Sequence, residues 1–146
     1  MKKPYSSINM QETIKLISAV GERLTVLVQG EMGIGKSSIL KALAKSHPNH
    51  IPCYIDITTK DVGDFLVPQI RTIDGTPVCS FIPNEEFGFH LGKPLIVMLD
   101  EVGKAGKAVM NACLRLMLER KLGIHELPEG SIVFATTNLA VEGIGD

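Results

Sequence analysis

The hydrophobic positions change period several times along the chain, and each change marks an element. Ile14, Ile17 and Val20 recur at helical spacing with Leu16 beside them, behind Asn9 as a capping residue and Glu12 three positions on. This predicts a helix that Gly21 stops. Leu24-Thr25-Val26-Leu27-Val28 is short, apolar and β-rich, as a buried strand is. A glycine-rich stretch from Gly30 to Gly35 leads into a helix over Ser37 to Lys45, with Ile39, Leu40 and Leu43 on its core side. Ile51 to Ile57 reads as a second strand, with Pro52 near its start, where a missing N–H matters least. Thr58 to Val67 is expected to be a short helix. Arg71-Thr72-Ile73 and Thr76-Pro77-Val78 flank Asp74-Gly75, the pattern of a hairpin turn. Phe81 to Gly92 reads as another short helix, and Leu95 to Leu99 is the strongest strand signal of all. A helix over Lys107 to Lys121 carries Val109, Ala112, Cys113, Leu116 and Leu118. After a connection from Leu122 to Gly130, Ser131 to Thr136 forms the last strand, and Thr137 to Asp146 is loop. Strands that alternate with helices predict an α/β class with a mainly parallel sheet.

Composition narrows this picture. The length of 146 residues suits one domain with its own core. Fifteen basic against sixteen acidic side chains leave a net charge of -1, without the footprint of a dedicated nucleic-acid binder. With no Trp and 5% aromatics, a stacking platform for single strands is also excluded. No apolar run approaches the ~20 residues of a membrane helix. The basic Met1-Lys2-Lys3-Pro4 leads into polar Ser6-Ser7 rather than an apolar stretch, so no secretory signal is read there. Cys53, Cys79 and Cys113 form no CxxC pair and read as reduced, mostly buried thiols of a cytoplasmic protein. Phe65, Phe81, Phe87 and Phe89 are expected in the core.

Chemistry enters at the glycine-rich stretch. Gly30-Glu31-Met32-Gly33-Ile34-Gly35-Lys36-Ser37 fits GxxxxGK[ST] between a strand and a helix, the setting that gives this pattern its meaning. Glycines let the backbone curl so that N–H groups point at phosphate oxygens, and the helix adds its positive end. Ser38 follows in the same turn. Lys36 would reach the β- and γ-phosphates of ATP as a point charge, and Ser37 would offer its hydroxyl to Mg2+.

The strand over Leu95 to Leu99 ends in Asp100-Glu101, at the carboxyl end where open α/β sheets bind ligands. Asp100 would hold Mg2+ through water, and Glu101 would polarise the water that attacks the γ-phosphorus. The last strand runs into Thr137-Asn138, whose amide could touch both that phosphate and that water. An adjacent pair of carboxylates argues for hydrolysis rather than transfer to a second substrate.

GEMGIGKS, LIVMLDE and FATTN, in this order and spacing, resemble the Walker A, Walker B and sensor-1 motifs of an AAA+ ATPase. The hairpin between the second and third strands resembles the helix-2 insert of the MoxR/dynein-related branch, and Asn111 to Arg120 resembles that branch's helix after Walker B. The resemblance implies a P-loop NTPase three-layer sandwich whose residues 1–146 are the large α/β nucleotide-binding subdomain. It implies ATP and ADP as ligands with Mg2+, catalytic roles for Lys36, Glu101 and Asn138, and a homo-oligomeric ring, often a hexamer, that remodels a protein client. Two departures stand out: Gly103 occupies a position where relatives often carry Asn, and Glu31 one where they often carry Pro. The family continues with a fifth strand, an arginine finger and a helical lid, so the chain is expected to be truncated after the sensor-1 strand. In the family's strand order the first strand would then be an exposed edge.

Other readings fare worse. Thr58-Thr59-Lys60-Asp61 is a weak match to a guanine-specificity motif, with the Asp one residue early and the segment after the wrong strand. No LSGGQ-like signature of a transporter ATPase occurs. The alternative that stays open is a nucleotide-binding regulatory or scaffold module that does not hydrolyse. His47, His50, His90 and His125 lack a metal-ligand pattern, and Arg115 and Arg120 read as surface salt-bridge formers.

Overall fold

The computed structural model describes residues 8–30 and 35–138. Four parallel strands form the central sheet: β1 (Val26–Gly30), β2 (Ile51–Asp56), β5 (Leu95–Asp100) and β8 (Ile132–Asn138). Their spatial order is β1-β8-β5-β2. Three helices cover the sheet: α1 (Met10–Val20), α2 (Ser37–Ser46) and α3 (Lys107–Leu114). A hairpin of β3 (Leu66–Ile73) and β4 (Thr76–Pro83) stands between β2 and β5. A small ladder of β6 (Lys121–Leu122) and β7 (His125–Glu126) precedes β8. This is the α/β architecture of a P-loop NTPase, a three-layer sandwich with a parallel sheet at its centre.

Period two sorts the core. Ile96 and Met98 of β5, with Ile132 and Phe134 of β8, pack under Ile17 of α1 and Ile39 and Leu43 of α2. Leu95, Val97 and Leu99, with Val133 and Ala135, pack on the other face against Val109 and Cys113 of α3. Both faces are covered, which is why the inner strands read as unbroken apolar runs. Asn9 caps α1 reciprocally with Glu12 across 2.8 and 3.0 Å, as the capping pattern predicts.

Several expectations need correction. The first strand begins at Val26 rather than Leu24, because pairing runs from Val26 opposite Phe134 to Gly30 opposite Asn138. Leu24 folds back to the carbonyl of Val20, and the Thr25 hydroxyl reaches the carbonyl of Met117 at 2.6 Å. Thr58 to Val67 is not one helix. Asp56 caps a three-residue turn at Thr58, Asp61 and Asp64 cap the next reciprocally, and β3 has begun by Leu66. These local side-chain bonds compete with a continuing helix. Phe81 to Gly92 likewise splits into the end of β4 and two short 3-10 turns. Phe65 and Phe87 are buried 5.2 Å apart by ring centroids, but Phe81 is 53% exposed because most of the hairpin stands clear of the core.

The helix expected to reach Lys121 keeps α geometry only to Leu114 and then widens into a π turn over Arg115–Glu119. Arg120 takes a left-handed φ of 60° and donates to the carbonyls of Gly21 and Ser131, which locks the turn. It is therefore a structural anchor rather than a surface ion-pair former, whereas Arg115 meets Glu119 at 3.6 Å. Leu118 is 76% exposed beyond this widening, whereas Leu116 is fully buried. His47, His50 and His125 hydrogen-bond to Ser18 and to the carbonyls of Gly130 and Phe81.

Cys53 and Cys113 are buried and Cys79 is exposed on the hairpin, in keeping with a mostly buried set. Burial pushes the Cys53 thiol up to about 12 and the Cys113 thiol up to about 11. Alkylation of the folded protein at neutral pH is therefore expected to modify Cys79 alone, with the other two reacting only after denaturation. Mass spectrometry of the labelled peptides checks this, and fast labelling of Cys113 in the native state would refute its burial.

Candidate functional site

The carboxyl ends of β1, β8 and β5 lie side by side, and the residues singled out by sequence meet there. Alternation along each strand puts Asp100 in line with Ile96 and Met98, and Thr136 and Asn138 in line with Ile132 and Phe134. That is the face covered by α2. Gly35 takes a left-handed φ of 83°, which suits glycine, just before Lys36 opens α2. Lys36 is 8% exposed. Its ammonium donates to the carbonyl of Gly30 at 3.4 Å, to that of Thr137 at 3.5 Å and to the side-chain oxygen of Asn138. The carboxyl tips of β1 and β8 are thus joined through one cation.

Ser37 and Ser38 are exposed in the first turn of α2, where the Ser38 hydroxyl donates to the Gly35 carbonyl at 2.6 Å. That turn holds no acidic side chain. Its positive end is left to interact with an anion. Glu31, Met32, Gly33 and Ile34 lie outside the described residues, as do residues 1–7 and 139–146.

Asp100 accepts the Tyr54 hydroxyl at 2.6 Å on one oxygen and the Thr136 hydroxyl on the other. Thr136 is fully buried and accepts the backbone N–H of Glu101 at 3.2 Å. Glu101 itself sits at a left-handed φ of 64°. For a non-glycine residue this costs about 1–3 kcal/mol, so it needs the surrounding bonds to hold it. Next to it, a Cβ on Gly103 would meet the Thr137 hydroxyl at 2.5 Å. This contact accounts for a glycine where a larger side chain was noted as usual.

Tyr54 and Thr136 escaped the sequence reading. The signal was present in period two: Tyr54 lies two residues from Asp56 on the Asp100 side of β2, and Thr136 two residues before Asn138. Which hydroxyl met which oxygen depended on strand order. The hydrogen bond to Asp100, with burial and the negative charges of Asp100, Asp56 and Glu101, pushes the Tyr54 phenol up from 10.0 to about 12. The raised value means that this bond supports the fold fully below about pH 10 and loses its effect as pH climbs through about 12. In protein carrying Tyr5→Phe, the phenol absorbance is expected to titrate near 12, and Asp100→Ala should bring the midpoint back toward 10. An unshifted midpoint would mean that the bond does not form in solution.

The donor set fits an anion beside a hydrated cation. Among the described residues no carboxylate pairs with Lys36, so its charge is answered only by neutral oxygens. Asp100 is held by two neutral hydroxyls, which orient its charge without cancelling it. A cavity of about 470 Å³ lies at the opposite ends of the strands, lined by Glu22, Glu119, Arg120, Glu126 and Glu129 among others. It is remote from these groups and carries the wrong charge for phosphate.

Residues 25–138 match the family described as AAA domain (dynein-related subfamily). No curated protein matches the chain. The fold is similar to that of a full-length MCM homolog from Methanopyrus kandleri, with a TM-score of 0.55 and 17% identity. That match covers 96% of this chain, which spans 30% of the homolog's length. Among the described residues, no helix is long and apolar enough to cross a membrane, and no three His, Cys, Asp or Glu side chains gather into a cluster that could hold a metal ion without other ligands.

Proposed function

We propose that this chain, which belongs to the dynein-related subfamily of AAA domains, binds ATP with Mg2+ at the strand tips and hydrolyses its β–γ anhydride as part of a larger remodelling assembly. The observation that carries this reading is the buried Lys36 ammonium, which joins Gly30 of the phosphate loop to Asn138 one strand from Asp100. Membership of the family supports nucleotide binding and ATPase-type chemistry.

In that reading Gly30, Glu31, Met32, Gly33, Ile34 and Gly35 would offer backbone N–H groups to the phosphates together with the first turn of α2 at Ser37 and Ser38. Lys36 exchanges its contacts with neutral oxygens for phosphate oxygens. Ser37 and Asp100 would hold Mg2+, which would neutralise phosphate charge. Glu101 accepts the proton of the attacking water, and Asn138 orients that water. The β3–β4 hairpin between β2 and β5 supports a MoxR-like placement within the subfamily. We read residues 1–146 as the large nucleotide-binding subdomain of a ring-forming cytoplasmic protein, with ADP as product and a protein client.

The test is a calorimetric titration of the chain with ATP, with Mg2+ and with EDTA. Saturable binding that Mg2+ strengthens is expected. Absence of binding by protein that melts cooperatively would overturn the reading.

A further inference from the structure

The Asp100 carboxylate is gripped from both sides. β5 lies between β8 and β2, and each neighbour sends one hydroxyl to a different oxygen of the same side chain. Proton directions are unambiguous here. An ionised carboxylate only accepts and a backbone N–H only donates, so Thr136 gives its proton to Asp100 and receives that of Glu101. One buried hydroxyl therefore sets both the side chain of Asp100 and the backbone of Glu101, at its left-handed φ.

Building on the nucleotide-site reading, we propose that Tyr54 and Thr136 are positioning residues for the metal-binding carboxylate. They hold Asp100 in one rotamer and leave it a full negative charge. Each carboxylate oxygen has about two acceptor sites, so one on each stays available to a hydrated cation. Lys or Arg in the same places would neutralise the group. A chain without these hydroxyls would have to order the carboxylate each time a cation bound, which costs side-chain entropy. Tyr54 is 48% exposed and can be changed without a cavity; Thr136 is the buried member of the pair.

The experiment measures ATP affinity of the full chain by calorimetry with Mg2+ and with EDTA, in the unmodified protein, Tyr54→Phe, Thr136→Val and Thr136→Ser. Tyr54→Phe is expected to reduce the strengthening by Mg2+ about threefold to tenfold, roughly one hydrogen bond's worth. Affinity in EDTA should not change. Thr136→Ser, which retains the hydroxyl, should keep the strengthening that Thr136→Val loses, and Tyr54→Phe carries the test if the valine variant fails to fold. In an Asp100→Asn background, Tyr54→Phe should have no further effect on that ratio. Strengthening by Mg2+ that survives Tyr54→Phe intact, or equal losses in Mg2+ and EDTA, would overturn the positioning role while leaving the nucleotide site standing. ATP binding that Mg2+ never strengthens in the unmodified chain would overturn both.

Discussion

Replacing Lys36 with methionine is expected to weaken ATP binding by about 100-fold or more. A hydrogen bond from a charged donor contributes about 1.5–3 kcal/mol, and 1.4 kcal/mol is a factor of ten in affinity. Lys36 is the buried cation at the strand tips, held by the carbonyls of Gly30 and Thr137 and by Asn138. Loss of two such bonds to phosphate already accounts for the expected effect. The fold should tolerate the change. Methionine keeps the length of the side chain, and the desolvation cost of a buried ammonium disappears, which offsets the neutral hydrogen bonds that are lost. Calorimetric titration paired with a thermal melt separates the two effects. ATP affinity equal to that of the unmodified chain would rule out Lys36 as a phosphate ligand; a collapsed melt would make it a structural residue.

The largest stability effect is expected at Phe134. Its ring is fully buried on β8, opposite Val26 of β1 and Met98 of β5, and it packs with Ile17, Ile39 and Leu43. Phe134→Ala removes that ring from the central layer and should cost about 3–5 kcal/mol, from lost burial and the cavity left behind. A domain's total stability is about 5–15 kcal/mol, so the variant should sit near the edge of folding. Its Tm should fall by about 10 °C. Phe81→Ala is the matched control. At 53% exposure on the hairpin, that ring should cost about 1 kcal/mol or less. Urea midpoints of the two variants decide this, and equal losses would contradict the contrast in burial.

Much of the site was legible because its parts are local in sequence. A strand, a glycine-rich turn and a helix follow one another between Val26 and Ser46, so period and motif spacing place them from neighbouring residues alone. The same holds for Leu95 to Asp100, where five buried apolar residues must end before the chain can show a carboxylate to water. Helix α1 was equally plain, since its cap, its periodicity and its stop are written in adjacent residues.

What the sequence hid were choices made by partners distant along the chain. β1 shifted toward Gly30 because β8 offered pairing partners from Phe134 to Asn138, and a ladder's register is a property of both strands. The π turn after α3 answered to Arg120, which found its acceptors at Gly21 and Ser131. Phe81 and Phe134 are chemically identical, and only the placement of the hairpin outside the sandwich exposed one and buried the other.

The amino-acid sequence by itself determined the four parallel strands, the main helices and the α/β class, and it set Lys36, Asp100 and Asn138 at the ends of those elements, since period, capping and motif spacing act over a few residues. Only the tertiary structure decided that Tyr54 and Thr136 share Asp100 and that Lys36 meets Asn138. Those contacts bridge residues 46, 36 and 102 positions apart, and a hydrogen bond reaches barely 3 Å, so sheet order had to bring the groups together first.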